Sequence, residues 1–299
     1  MADFLAAKSH RSELLRELLE RRETIVAPGA YDALTARIIE QAGFPAVYMT
    51  GFGTTASLLG RPDVGLLTLS EMAGNARRIA QAIDVPLIAD ADTGYGNPLN
   101  VIRTVQEYER AGVSAIHIED QVTPKKCGHM DNKQVVPYQE MVEKIRAAVE
   151  ARSSRDFVLI ARTDARAVEG LNAAIDRARR YREAGADVLF VEAPQSDEEI
   201  ACVARELAGS PLLFNFAEGG KTPPVSLDRL RELGYRMVIF PIGALLAATT
   251  AIRKLAAEIR AHGTPSALLP EMISFTEFNQ MIGLPEIQSL EKRFSAESK

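Results

Sequence analysis

Asp90 ends the apolar run Pro86–Asp90, Asp92 follows two residues later, and Glu119 ends a second run, Ala115–Glu119. With no Cys or His pair of zinc-type spacing nearby, three carboxylates make a hard-oxygen set that selects Mg2+, or Mn2+ as a substitute. Magnesium keeps several waters, so Asp90 is expected to ligate directly and Asp92 and Glu119 to hold metal-bound waters. Asp63, within Arg61-Pro62-Asp63, has two readings, a further member of this set or a turn residue.

A second group is Lys125-Lys126-Cys127-Gly128-His129. It lies in a loop, Gln121 to Pro137, that exceeds the usual length in compact domains and so has the dimensions of a lid. Two lysines and a histidine around Cys127 are expected to lower its pKa and make it an acid or a nucleophile; the alternative is an incidental surface thiol. Cys202, in an Ala-rich helix, reads as a core residue. His10, His117 and His262 are given no role, with His117 packed in a strand. After the seventh run, Glu218-Gly219-Gly220-Lys221-Thr222-Pro223 is either a loop that lets backbone approach an anionic ligand or a plain turn. The phosphate-loop spacing is absent.

The elements that must position these groups repeat as β-rich run, polar loop, amphipathic helix. The runs are Thr24–Ala27, Ala46–Thr50, Pro86–Asp90, Ala115–Glu119, Phe157–Arg162, Val188–Glu192, Pro211–Asn215 and Met237–Phe240. Several are nearly continuous apolar stretches, the signature of parallel strands buried on both faces. Helical patterns such as Tyr138–Arg152 and Leu171–Glu183 lie between them, and Gly43, Gly112, Gly185 and Gly234 each stand where a left-handed C-cap precedes the next strand. Eight such units predict one α/β domain over residues 1–299, a (β/α)8 barrel in preference to a doubly wound sheet. The strand ends of a barrel converge on one mouth. They carry Tyr48, Thr50, Asp90, Asp92, Glu119, Asp120, Arg162, Asp164, Glu192 and Asn215, a charge density that calls for a cation. Beyond the eighth unit, Thr264–Lys299 forms a helical arm whose Phe275, Phe278, Leu284, Leu290 and Phe294 must be buried on the same barrel or on a neighbouring subunit.

The bulk properties exclude other classes. A net charge of -5 with no long basic run gives no support for nucleic acid or a membrane surface as partner. Two cysteines argue against a disulfide framework, no stretch approaches a membrane span, and Met1–Glu23 lacks the apolar core of a secretory signal. A cytoplasmic location is the expectation.

Taken in order, Tyr48-Met49-Thr50-Gly51, Ala89-Asp90-Ala91-Asp92-Thr93-Gly94-Tyr95-Gly96, His117-Ile118-Glu119-Asp120-Gln121, Lys125-Lys126-Cys127-Gly128-His129 and Ala161-Arg162-Thr163-Asp164-Ala165 resemble the isocitrate lyase and phosphoenolpyruvate mutase superfamily. The resemblance implies a barrel whose last helix is exchanged between subunits of a homotetramer, and a gating loop around Cys127. The Cys127 motif is similar to the lyases rather than the phosphonate-bond mutases. The Thr50-Gly51-Phe52-Gly53 and Asn215–Pro223 stretches resemble the branch that holds 2,3-dimethylmalate lyase, the petal death protein and oxaloacetate hydrolases more than methylisocitrate lyase. Phe52 stands where methylisocitrate lyases usually have glycine, which suggests a site crowded by a ring.

The expectation is cleavage of a 2-hydroxy dicarboxylate. Tyr48 is the base, Cys127 the acid and Arg162 the partner of a carboxylate. Backbone around Thr50, Gly51 and Phe52 holds the keto-acid end, Gly128 and His129 belong to the gate, and Glu192, Asn215 and Lys221 face the second carboxylate. An oxaloacetate hydrolase is the alternative, a phosphonomutase or a catalytically silent barrel less so.

Overall fold

The computed structural model describes Leu5, residues 11–21 and residues 23–295; His10 and much of the N-terminal stretch lie outside it. Eight strands form, β1 Ile25–Ala30, β2 Val47–Met49, β3 Leu87–Asp90, β4 Ala115–Glu119, β5 Val158–Thr163, β6 Val188–Val191, β7 Leu213–Asn215 and β8 Met237–Phe240. They pair in parallel in the order β6-β5-β4-β3-β2-β1-β8-β7. A parallel bridge from Leu189 to Leu212 brings β6 beside the run into β7, so the expected barrel is nearly closed.

Alternation along each strand sorts side chains into two layers. On β4, Ile116 and Ile118 face outward and pack with Val101, Val105, Tyr108, Met141 and Ile145 of the flanking helices. Ala115 faces inward with Val158, Ile160, Val188, Phe190, Met237 and Ile239. The inward row then changes character along the chain direction. Tyr48, Ile88, Val158 and Ile160 give way to Thr50, Asp90, Glu119 and Arg162 at the C-terminal ends. Helix Ser12–Glu20 closes the opposite end by placing Leu15 and Leu19 among the inner residues.

The end of the second strand departs from the sequence reading. Strand β2 stops at Met49 because Thr50 caps a helix, Gly51–Leu59, its hydroxyl accepting from the Gly53 amide at 3.2 Å. The expected caps at Gly43, Gly112, Gly185 and Gly234 all have positive φ, between 85° and 109°.

The chain divides into two compact units, one running to Ala244 and one formed by the residues from Leu245 on; the arm read as starting at Thr264 falls within the second. That unit contains helices Phe275–Met281 and Leu284–Phe294, neither with a buried residue.

Candidate active site

Strand register builds the polar mouth. Asp90 pairs with His117 across β3 and β4, and Glu119 with Arg162 across β4 and β5, so four inward groups stack in two adjacent levels. The Asp90 backbone is pinned by the Tyr108 hydroxyl, which donates to its carbonyl at 2.8 Å. The Asp92 amide donates to Asp90 Oδ1 at 2.9 Å, and Asp92 itself has a φ of 47°, a left-handed conformation that a non-glycine residue adopts at a cost. Gly51 comes so close that a β-carbon there would lie 2.3 Å from Asp90 Oδ2. The first turn of helix Gly51–Leu59, with half-buried Phe52 in it, is therefore set against the Asp90 carboxylate.

Lys125 does not face the cysteine beside it. Its buried ammonium bridges Asp63 Oδ2 at 2.7 Å and Asp92 Oδ1 at 2.8 Å. Asp63 is thus a buried ion-pair partner, joined to the acidic set through a lysine. Burial opposes the charge of Lys125, but Asp92, Asp90, Asp63 and Glu119 together hold its pKa well above normal. Asp92 is pushed up to about 6 by burial and by Asp90 and Asp63, against the pull of Lys125. Burial also raises Asp90, but His117, Lys125 and Arg162 outweigh it and keep this carboxyl below the usual range. Glu119 is driven well up by burial, with Asp164 and Asp90 adding to the effect.

These residues fit a divalent cation. Glu119 Oε1 is buried and accepts no hydrogen bond from a described residue, Asp92 adds a second hard-oxygen group, and Asp90 is the acid held ionised. Among the described residues no three carboxylate, His or Cys side chains converge closely enough to cage an ion.

Arg162 is surrounded by acids. Its Nε donates to Asp164 Oδ2 at 2.9 Å and its Nη2 to Asp164 Oδ1 at 3.1 Å, and Nε lies 3.2 Å from Glu119 Oε2. The guanidinium sits 5.1 Å above the ring of Phe190, which in turn meets His117 edge-on. Glu192, held down to about 2 by Arg162 and His129 despite burial, accepts from Asn215 Nδ2 at 3.2 Å.

The loop from Gln121 to Pro137 covers this mouth. A β-carbon on Gly128 would fall 2.3 Å from Glu192 Oε1 and 2.5 Å from Arg162 Nη2, so the loop backbone rests directly on that pair. His129 Nε2 lies 3.1 Å from Glu192 Oε1, while its Nδ1 accepts the Lys221 amide at 3.0 Å. Lys221 therefore enters through its backbone. Its ammonium pairs with exposed Asp131, contrary to the expected contact with a substrate carboxylate.

Two expectations change. The Cys127 thiol is raised, chiefly by burial and only partly offset by the His129 amide. The lysines that were to lower it point elsewhere, Lys125 to Asp63 and Asp92 and Lys126 Nζ to the Asn132 carbonyl at 2.9 Å. His117, given no role, lies at the base of the site. Its Nε2 is 2.8 Å from the Tyr48 hydroxyl and 3.6 Å from Asp90 Oδ1. Its position two residues before Glu119 was the available signal, since alternation puts both on the inward face. Burial holds His117 down to about 4 and drives Tyr48 well up, so both are neutral near pH 7. His262 is paired with Glu258 at 3.1 Å.

Comparisons with known proteins identify the family. The family model for phosphoenolpyruvate phosphomutase matches residues 15–260. The chain is 47% identical to 2,3-dimethylmalate lyase of Eubacterium barkeri, over 94% of this chain and 97% of that protein. It is also 47% identical to 2-methylisocitrate lyase of Aeropyrum pernix, over 94% and 90%. A crystal structure of 2,3-dimethylmalate lyase, described as a PEP mutase/isocitrate lyase superfamily member, superposes with a TM-score of 0.92 at 42% identity, covering 98% of each chain. Oxaloacetate acetylhydrolase in complex with 3,3-difluorooxalacetate gives 0.91 at 41%, covering 96% of this chain and 98% of that one. Phosphonopyruvate hydrolase in complex with oxalate and Mg++ gives 0.88 at 33%, covering 96% and 99%. Among the described residues no helix is long and apolar enough to cross a membrane.

Proposed function

We propose that this chain, which belongs to the phosphoenolpyruvate mutase and isocitrate lyase superfamily, is a cytoplasmic carbon–carbon lyase that cleaves a 2-hydroxy dicarboxylate to pyruvate and a second carboxylic acid. The 2,3-dimethylmalate and 2-methylisocitrate lyases among its relatives support that class. The observation that carries the reading is the loop seated on Arg162 and Glu192 with a half-buried thiol of raised pKa. A thiol that stays protonated at neutral pH is a poor nucleophile but has its proton in place, and even a weakened thiol is far more acidic than the carbon acid formed when a carbanion is quenched.

Asp90, with Asp92 and Glu119 through water, would hold Mg2+ or Mn2+, which supplies Lewis-acid polarisation of the substrate's hydroxyl and adjacent carboxylate. The chain's own groups do the rest. Amides in the first turn at Gly51 and Phe52, capped by Thr50, bind the carboxylate of the keto-acid end. Arg162, its Nε and Nη2 held by Asp164, orients the reacting end through its charge and remaining Nη1, with Glu192 and Asn215 beside it. Tyr48 takes the hydroxyl proton while its own passes along the hydrogen bond to His117, held there only transiently because burial disfavours the imidazolium, and returned once the products have formed and the thiol is reprotonated. The C2–C3 bond breaks, its electron pair stays on C3, and Cys127 delivers the proton there. His129 and Gly128, as parts of the closed loop, keep water from the carbanion.

Cys127→Ser tests this assignment. Substrate affinity by calorimetry should stay near that of the parent protein. Single-turnover pyruvate formation should fall by roughly 10²-fold or more, the usual worth of general-acid assistance. Turnover within two- or threefold of the parent rejects Cys127 as the acid.

For assembly, the proposal is a homotetramer in which the C-terminal arm is exchanged between subunits. Its support is the exposed apolar surface of that arm, with Phe275 83% and Phe294 68% exposed.

A further inference from the structure

Lys133 stands six residues beyond Cys127 in the same loop, yet its ammonium is buried, with a side-chain exposure of 1%. It reaches two acceptors on different elements. One is the backbone carbonyl of Gly128, within the loop; the other is Asp164 Oδ1 at 2.7 Å, at the end of β5. Both acceptors belong to the arrangement around Arg162. Gly128 rests on the Arg162–Glu192 pair, and Asp164 receives the Arg162 fork through both its oxygens.

We infer that Lys133 is a latch that fastens the loop shut and, through Asp164, positions Arg162. Three acids, Asp164, Glu119 and Glu192, lie within 4.0 Å of Arg162 Nε. One guanidinium cannot fully neutralise both Asp164 and Glu192, and a buried charge without a partner is strongly unfavourable. Lys133 supplies the second cation only when the loop lies over the mouth, because its ammonium is carried by that loop.

The same contact changes what Arg162 can do. Asp164 Oδ1 is shared between Lys133 and Arg162 Nη2, while Arg162 Nη1 makes no hydrogen bond to another described residue. With Lys133 in place, Asp164 is fixed from a second direction, and it in turn fixes the Nε and Nη2 edge of Arg162, leaving Nη1 uncommitted. With the loop lifted, Asp164 keeps only Arg162 as a charged partner, and the fork is free to turn onto its acids. Lys133 is therefore a positioning residue that makes the alignment of Arg162 conditional on closure.

The consequence for catalysis rests on the lyase reading; the latch itself does not. Amide hydrogen exchange on the ligand-free protein tests the latch. Lys133→Met should raise exchange in peptides covering 122–134 at least tenfold relative to the parent, with strands β4 and β5 unchanged. Lys133→Arg, which retains the cation, should restore most of the protection; Lys133→Gln serves in place of Met if that variant does not fold. The positioning role is read from kinetics. Lys133→Met should lower the rate of pyruvate formation by roughly 10²-fold, the scale of a misplaced catalytic group, with recovery in Lys133→Arg. Unchanged loop exchange overturns the latch. A loosened loop with an unchanged rate overturns the positioning role. If the parent protein forms no pyruvate from any dicarboxylate, the lyase reading fails while the exchange comparison still decides the latch.

Discussion

At the scale of single residues, the site separates two kinds of acid. Asp90 is held ionised by Lys125 and Arg162, whereas burial drives Glu119 up and brings Asp92 to about 6. A direct ligand must be ionised without help, so Asp90→Ala should abolish Mg2+ binding measured by calorimetry, and Asp92→Ala should weaken it by a smaller factor. Equal losses would mean that both bind the ion directly. The thiol offers a second test. A raised pKa means that Cys127 should alkylate slowly at pH 7–8, with the rate still rising above pH 9 when followed by mass spectrometry of its peptide. A plateau below pH 8 would restore the activated thiolate expected from the flanking lysines. That expectation failed for an identifiable reason. Neighbours in sequence are not neighbours in space in an extended loop, and Lys125 had two buried carboxylates to satisfy. The acidic set itself was readable because Asp90 and Glu119 end strands whose apolar runs mark their own boundaries.

At the scale of elements, the strands position the chemistry by register and the loop completes it by contact. Strands β4 and β8 were readable to the residue, and the glycine caps followed from their place before each strand. The helix after β2 was hidden. Gly51-Phe52-Gly53 has poor intrinsic helix propensity, which the Thr50 cap and burial of Gly51, Gly53, Thr54 and Thr55 override. No pattern announced Lys133 or Lys125 as buried partners, because their carboxylates lie far away in the chain. Loop seating predicts the behaviour of Gly128→Ala. The backbone there does not need a positive φ, so alanine is conformationally acceptable and the fold should melt near the parent's temperature. A methyl group nevertheless has no room against Glu192 and Arg162. Activity should fall by roughly 10- to 100-fold, as for other small displacements of catalytic groups. An alanine variant of normal activity would show that the loop need not close this tightly.

At the scale of the whole molecule, the barrel accounts for its own core, while the C-terminal unit displays apolar surface. Ile252 is 64% exposed and Phe275 83% exposed, on helices with no buried residue among them. Light scattering at micromolar concentration should therefore give a tetramer, and deletion from Thr264 should give aggregates or smaller inactive species. A soluble, active monomer would remove the case for an exchanged arm. The reaction itself is tested most directly by identifying products. The intact protein, with Mg2+, is incubated separately with 2,3-dimethylmalate, 2-methylisocitrate and oxaloacetate, and each mixture is followed by NMR. A lyase of this kind should give pyruvate and a second carboxylic acid in equal amounts from at least one of the hydroxy acids, lost on chelation and restored by Mg2+. Oxalate and acetate from oxaloacetate, with no pyruvate from either hydroxy acid, would make the protein a hydrolase instead.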